Sequence, residues 1–313
     1  MHPAPENRTL SRWPISITST ILAAALVSCA TFGGAVALAA QDRDPSEQAT
    51  SDIRATVPGA QPEATASEAS RSVEANCPEL PNHAALTQAL REIVDAGNRQ
   101  ANGGLGNHMW AVVVERSGAI CAITHSGEEF GDQWPGSRAI AAQKAFTANA
   151  FSLPGFALST ANLFWPAQPE NSLYALSTSN PVDPDLLYRG PPTEWGTAQD
   201  PLVGHRSGGT TVFGGGLALY TPEGKLIGSL GVSGDQSCTD HVIAWKLRHK
   251  LNFDNVPAGP TENGTDNIIY DLTRDPGSGE QTSASGYGHP VCGPTAKRIA
   301  TGFSSSFPTG PEQ

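Results

Sequence analysis

The chain has 313 residues, 30 of them acidic and 19 basic, for a formal net charge of −11. That balance leaves no basic stripe to neutralise phosphates and argues against a nucleic-acid partner. The length alone would allow two domains, but residues 41–76 and 257–313 carry few large apolar side chains, which argues for one domain with long tails.

Residues 1–40 read as an export signal. Arg8 and Arg12 precede an uncharged apolar run from Ile15 to Val27, the order of a charged region followed by a hydrophobic one. Two processing sites compete. Leu26-Val27-Ser28-Cys29 has the shape of a lipoprotein box, and Ala37-Leu38-Ala39 that of an ordinary cleavage site. No other segment is long and apolar enough to span a bilayer. Membrane contact is therefore expected only through a signal or lipid anchor, and the mature protein in the periplasm or outside the cell. Residues 41–76 lack the large apolar side chains that offset chain entropy, and are expected to form a disordered tether.

Four further cysteines, Cys77, Cys121, Cys238 and Cys292, suit an oxidising compartment. Three pairings are open to them. Cys77 and Cys292 flank the domain, so Cys77–Cys292 and Cys121–Cys238 are the expected disulfides. The alternative makes Cys238 and His241, one helical turn apart, part of a metal site.

The domain spans 77–256. Asn82 caps a helix over 83–98, with Leu86, Leu90, Ile93 and Val94 as its buried stripe. Met109–Glu115 and Ala119–Thr124 are strands about the turn Ser117-Gly118. Ser137 caps an Ala-rich helix over 138–151. Short pieces follow at 158–164 and 172–177. The polar segment 180–209 is long for a loop in a small domain, and long loops of this kind often form lids or pocket walls. Two strands, 214–220 and 225–232, flank the turn Thr221-Pro222-Glu223-Gly224. Gly231-Val232-Ser233-Gly234 then breaks the second strand, and a helix runs from Thr239 to Leu251. Residues 257–313 are expected to be mostly coil, anchored by Cys292 and the patch Ile268-Ile269-Tyr270. The fold class is α+β: one antiparallel sheet with flanking helices and disordered tails.

The Gly231–Gly234 turn feeds a helix start, where backbone N–H groups point outward and suit an anionic ligand. Three blocks around it carry a resemblance: Ser137-Arg138-Ala139-Ile140-Ala141-Ala142-Gln143-Lys144-Ala145-Phe146-Thr147-Ala148-Asn149, Val212-Phe213-Gly214-Gly215-Gly216-Leu217, and Ile227-Gly228-Ser229-Leu230-Gly231-Val232-Ser233-Gly234-Asp235. Over residues 84–250 the chain resembles the GlcG/HbpS family of haem-binding or haem-degrading domains. That resemblance implies a profilin-like arrangement, assembly into homo-oligomers, and haem or another anionic small molecule as ligand.

It also points to a ligand site built from Lys144, Thr147, Gly214, Gly215, Gly216, Ser233, Gly234 and Asp240, with His241 as haem-iron ligand. Each residue has a second reading. Lys144 is either a cation at a pocket edge, placed to meet a propionate, or half of a structural ion pair. His241 is either an iron ligand oriented by Asp240 or a buried histidine that fixes the turn. The glycines either admit a planar ligand or form bulges. His125 and His205 are weaker iron candidates, and His108 and His249 read as surface residues. Trp110, Phe151, Phe164, Trp165, Tyr174, Trp195 and Trp245 line a slot or fill the core. Ser233 as nucleophile with His241 as base is a hydrolase reading. Two other function classes stand beside haem binding: an oligomeric interaction or sensory module without haem, and a carboxylate-processing enzyme using Lys144 and His241.

Overall fold

Asn82 accepts the Ala85 N–H at 3.0 Å and opens helix α1, His83–Val94. Leu86, Ala89, Leu90 and Val94 form its buried face. The helix stops short of residue 98 because the chain turns at Gly97, whose φ of +75° favours glycine. The computed structural model describes residues 77–310. The expected export signal, with Cys29, and the expected tether over 41–76 lie outside the described residues.

Strands β1 (Trp110–Glu115) and β2 (Ile120–His125) form an antiparallel hairpin. Helix α2 spans Ser137–Phe151, with Gly136 in the capping position and Ser137 already helical. Two single-turn helices follow, α3 (Leu176–Ser179) and α4 (Pro184–Leu187). Strands β3 (Gly216–Tyr220) and β4 (Leu226–Ser233) precede helix α5, Ser237–Lys250. The sheet order is β2-β1-β4-β3, antiparallel throughout.

Period-two alternation divides this sheet. Ala111, Val113, Ala122, Leu217, Leu230 and Val232 pack with α1 and α5. Trp110, Val112, Val114, Ile120 and Ile123 pack with the alanines of α2. Gly231 lets α2 lie directly on β4, since a Cβ there would meet Ala141 O and Ala145 N.

The long segment after α3 is fixed in place. Its Asp200 forms a buried two-point pair with Arg138 of α2, at 2.9 and 2.5 Å. The same guanidinium donates to Leu187 O and lies over the Trp195 ring. His205 and Gly204 pair with Ile120, so the segment also covers the outer edge of β2.

The C-terminal tail departs from the expected disorder up to residue 310. It forms a hairpin of β5 (Leu272–Arg274) and β6 (Gln281–Ser283), then α6 (Pro294–Thr301) and α7 (Phe303–Ser306). Its few apolar residues are concentrated in one place. Ile268, Ala296, Ala300 and Phe303 join the core cluster of α5, and Phe303 stacks on Trp245 with ring centroids 5.3 Å apart. Asp266 meets Arg248 of α5 in a second buried two-point pair, at 2.7 and 2.8 Å.

The disulfides are Cys77–Cys121 and Cys238–Cys292, which corrects the expected Cys77–Cys292 and Cys121–Cys238. The reason is the path of the chain. Helix α1 packs against β2, where Thr87 Oγ1 lies 2.6 Å from Thr124 Oγ1, so the lead-in to α1 brings Cys77 to Cys121 on β2. The chain after β6 returns to the start of α5 and brings Cys292 to Cys238.

Candidate functional site

The fold brings most of the residues singled out in sequence to one junction, where α2, the Gly214–Gly216 segment, the end of β4 and the start of α5 meet. Lys144 comes from the buried face of α2 and Asp240 from the first turn of α5. Their Nζ and Oδ2 lie 2.6 Å apart, and both side chains are at most 3% exposed. Lys144 also donates to Val232 O at 3.2 Å. Burial pushes the ammonium pKa down and the carboxyl pKa up, to about 6, and the mutual attraction works against both shifts.

This junction carries its own anions. Asp240 Oδ1 accepts the Asp235 N–H at 2.9 Å. The Asp235 carboxylate in turn accepts N–H groups from Leu105, Gly106, Asn107 and Gln236. The donors expected to hold an outside anion at the Gly231–Gly234 turn are therefore met by two aspartates of the chain. The glycine spaces are filled in the same way. Gly215 has φ +124°, and a Cβ there would meet Val232 O and Lys144 Nζ; one on Gly214 would meet Ser237 O, and one on Gly216 the Lys144 backbone. Gly234 is packed against His108 and Met109. Thr147, one turn beyond Lys144, donates to Gln143 O and accepts the Thr211 N–H.

His241 is fully buried. Its Nε2 lies 3.1 Å from Asn267 Oδ1 and 3.2 Å from the Ile268 N, both on the C-terminal tail. Burial pushes its pKa down to about 3, so the ring is neutral. Nε2 is thus engaged, while Nδ1 is enclosed without a partner among the described residues. Ser233, on the buried end of β4, makes no hydrogen bond to this ring among the described residues. The residues of the junction do not fit a porphyrin: its cation is paired, its glycine spaces hold protein atoms, and its imidazole is roofed by the tail. Cys238 is held in a disulfide and His241 Nε2 is engaged by Asn267 and Ile268, so the two residues do not come together as the pair of metal ligands the sequence offered. Trp110, Trp195 and Trp245 are core residues, and His125 is buried against Trp110, its Nδ1 on Gly127 O.

A different place has the chemistry of a ligand site. A surface groove of about 420 Å³ runs between the end of α1, the end of α5 and the start of the segment after α7. Ile93, Ala96, Ala101 and Phe307 give it apolar walls, and Lys246, His249 and Lys250 line it. His249 Nδ1 lies 2.5 Å from Asp254 Oδ2, and the ring meets Phe307 edge-on. Its Nε2 has no partner among the described residues, and the side chain is 39% exposed. Lys246 reaches Asn102 Oδ1 at 2.7 Å, and Lys250 pairs with Glu92 at 2.6 Å. A carboxylate that fixes one imidazole nitrogen and leaves the other open is the usual support of a metal-ligating histidine. Sequence reading passed over His249 as a surface residue. Its one local signal was the spacing Lys246, His249, Lys250, which puts three basic groups on one helical face.

Residues 86–247, just over half of the chain, match the family model HbpS-like, described as haem degrading protein HbpS-like. No curated protein matches the chain. Among solved structures, the chain is similar to a PduOC:heme complex, at 24% identity over 53% of this chain and 89% of that one, with a TM-score of 0.36. It is similar to the Klebsiella pneumoniae protein ORFY at 21% identity, over 54% and 88% of the two chains, with a TM-score of 0.35. A double mutant of Streptomyces reticuli HbpS shares 21% identity over 58% and 97%, with a TM-score of 0.29.

Proposed function

The chain belongs to the family of HbpS-like haem degrading proteins, and on that premise we propose that it is an exported haem-binding protein whose site is the groove at His249. The observation that carries this reading is His249 itself. It is an imidazole with one nitrogen on Asp254 and the other open, set in an apolar groove beside two lysines. His249 would hold iron through Nε2. Asp254 fixes the ring and makes it a stronger donor. Ile93 and Phe307 would cover part of a porphyrin face, and Lys246 and Lys250 would meet its carboxylates, Lys250 by leaving Glu92. Haem, when bound, supplies the iron and oxygen chemistry, and the protein supplies pocket and orientation. The Arg8/Arg12 signal pattern and the two disulfides support export. Self-association into homo-oligomers, which would close the open side of the groove, is part of the same proposal.

Titration of the purified full chain with haem tests it. A saturable change in the Soret band is expected. His249→Ala should shift that band and weaken binding. Lys246→Ala should weaken binding with little spectral change, because losing a charge-assisted hydrogen bond costs about 1.5–3 kcal/mol, roughly ten- to a hundred-fold in affinity. An unsaturable titration, or an unchanged spectrum in His249→Ala, overturns the reading.

A further inference from the structure

The disulfide at the start of α5 has a third metal-ligating side chain beside it. The two sulfurs of Cys238 and Cys292 and a ring nitrogen of His289 all lie within 4.8 Å of one another. Cys77–Cys121 is part of no such group among the described residues. We propose that Cys238, Cys292 and His289 form a Zn²⁺ site when the disulfide is reduced, so that oxidation state decides between a covalent tie and a metal tie at the same place.

Three features carry this. The first is the set of donors: two thiolates and an imidazole are the ligands of tetrahedral zinc. The Cα atoms of the two cysteines are 5.9 Å apart, which lets both sulfurs reach one ion once the S–S bond is gone. The three protein donors would leave the fourth position of a tetrahedral ion to a water.

The second is the imidazole. His289 is 2% exposed, and its Nδ1 lies 2.7 Å from Pro290 O. A backbone carbonyl on one ring nitrogen is the support that metal-bound histidines use. Nε2 keeps its lone pair and accepts only the Gly214 N–H, at 3.3 Å. Binding a metal through Nε2 would exchange that long bond and keep the one to Pro290 O. Burial keeps the ring neutral, with its pKa pushed down to about 4.

The third is the support for thiolates. Cys238 lies in the first turn of a 14-residue helix, where the N–H ends favour negative sulfur. Cys292 Sγ faces the Cys238 N–H at 3.2 Å, and Cys238 Sγ faces the Cys292 N–H at 3.1 Å.

The redox step balances with a dithiol reductant. Its thiolate attacks the sulfur of Cys292, the less buried of the two. The S–S bond breaks and Cys238 leaves as a thiolate. The second thiol of the reductant then attacks the mixed disulfide, frees Cys292 and ends as the reductant's own disulfide. The protein gains two electrons and two protons, and the protons are released when Zn²⁺ takes both thiolates.

The test reduces the full chain with a water-soluble phosphine under argon, the phosphine becoming its oxide with oxygen from water. Co²⁺ is then added as a coloured stand-in, followed by Zn²⁺. The expected result is one Co²⁺ per chain, with thiolate-to-cobalt absorption in the near ultraviolet that Zn²⁺ displaces. Cys77→Ser/Cys121→Ser should keep that band, Cys238→Ser/Cys292→Ser should lose it, and His289→Ala should bind at least tenfold more weakly. No band in the reduced wild type, an equal band in Cys238→Ser/Cys292→Ser, or unchanged affinity in His289→Ala overturns the proposal. Where reduction unfolds the chain, Zn²⁺ should restore its circular dichroism at about one equivalent, and failure to do so counts against the site.

Discussion

Lys144 Nζ lies 2.6 Å from Asp240 Oδ2 in a space sealed from solvent, and the pair joins α2 to the first turn of α5. Breaking a buried pair leaves one charge without compensation, which costs more than the pair contributes. Lys144→Met should therefore lower stability by about 3–5 kcal/mol. In Lys144→Met/Asp240→Asn the buried charge is gone and an amide oxygen remains for the Asp235 N–H, so most of the loss should return. Urea unfolding of the three proteins checks this. A double variant as unstable as the single one would show that the charge is not what matters.

The sheet and its helices were legible because their signals are local. Alternation marks β1 and β2, Asn82 marks the start of α1, and the Thr221–Gly224 turn sets the β3–β4 hairpin. The glycines were legible as places of close approach. What fills the space they leave was not, because Lys144 stands 96 residues from Asp240, and the roof over His241 comes from Asn267 and Ile268. The same distance hid the disulfides and the groove. Nothing near His249 in sequence announces Ile93, and Asp254 becomes its partner only after the chain turns at Asn252, a non-glycine residue with φ +60°.

The long segment after α3 should behave as part of the core. Asp200 accepts two bonds from Arg138 and further ones from the Gly196 and Leu202 N–H groups. Asp200→Ala leaves a buried guanidinium unpaired and should cost about 3–5 kcal/mol. Proteolysis under native conditions should then cut first within residues 180–209. Arg138→Lys should fall between the two proteins, since an ammonium cannot make the two-point contact. Cleavage starting elsewhere in Asp200→Ala would contradict this role.

Acid should destabilise the fold in a defined window. His241 and His289 have folded pKa values pushed down by burial to about 3 and about 4. Below about pH 6.5 the unfolded chain takes up protons that the folded chain refuses. The stability these rings contribute is complete above that pH and is lost as pH falls toward the folded values. Between pH 7 and 4.5 the loss is roughly 2–3 kcal/mol per ring. Asp240 has the opposite sign: burial raises its pKa, which favours the folded state as pH falls through about 6. His125 and His205, also pushed down by burial, act in the same direction as the two rings, so a net loss is expected by urea unfolding at the two pH values, and His289→Gln should flatten the profile. Stability that holds level or rises toward pH 4.5 would refute this account.

The C-terminal tail should be required for folding. A chain ending at Val256 would lose Asp266, leaving Arg248 charged and buried inside α5. It would also lose Ile268, Ala300 and Phe303 from the core and uncover Trp245. Cys238 would lose its partner, and His241 its cover. The unpaired guanidinium alone costs about 3–5 kcal/mol, and burying a phenylalanine contributes roughly 1.5–3 kcal/mol more. Together these approach the whole stability of an ordinary domain, about 5–15 kcal/mol. The truncated chain should show no cooperative thermal transition and should bind a dye for exposed apolar surface. Arg248→Met in the same truncated chain should recover part of the loss, because it removes the stranded charge. A truncated protein that melts cooperatively near the full-length temperature would make the tail an accessory, and its buried contacts incidental.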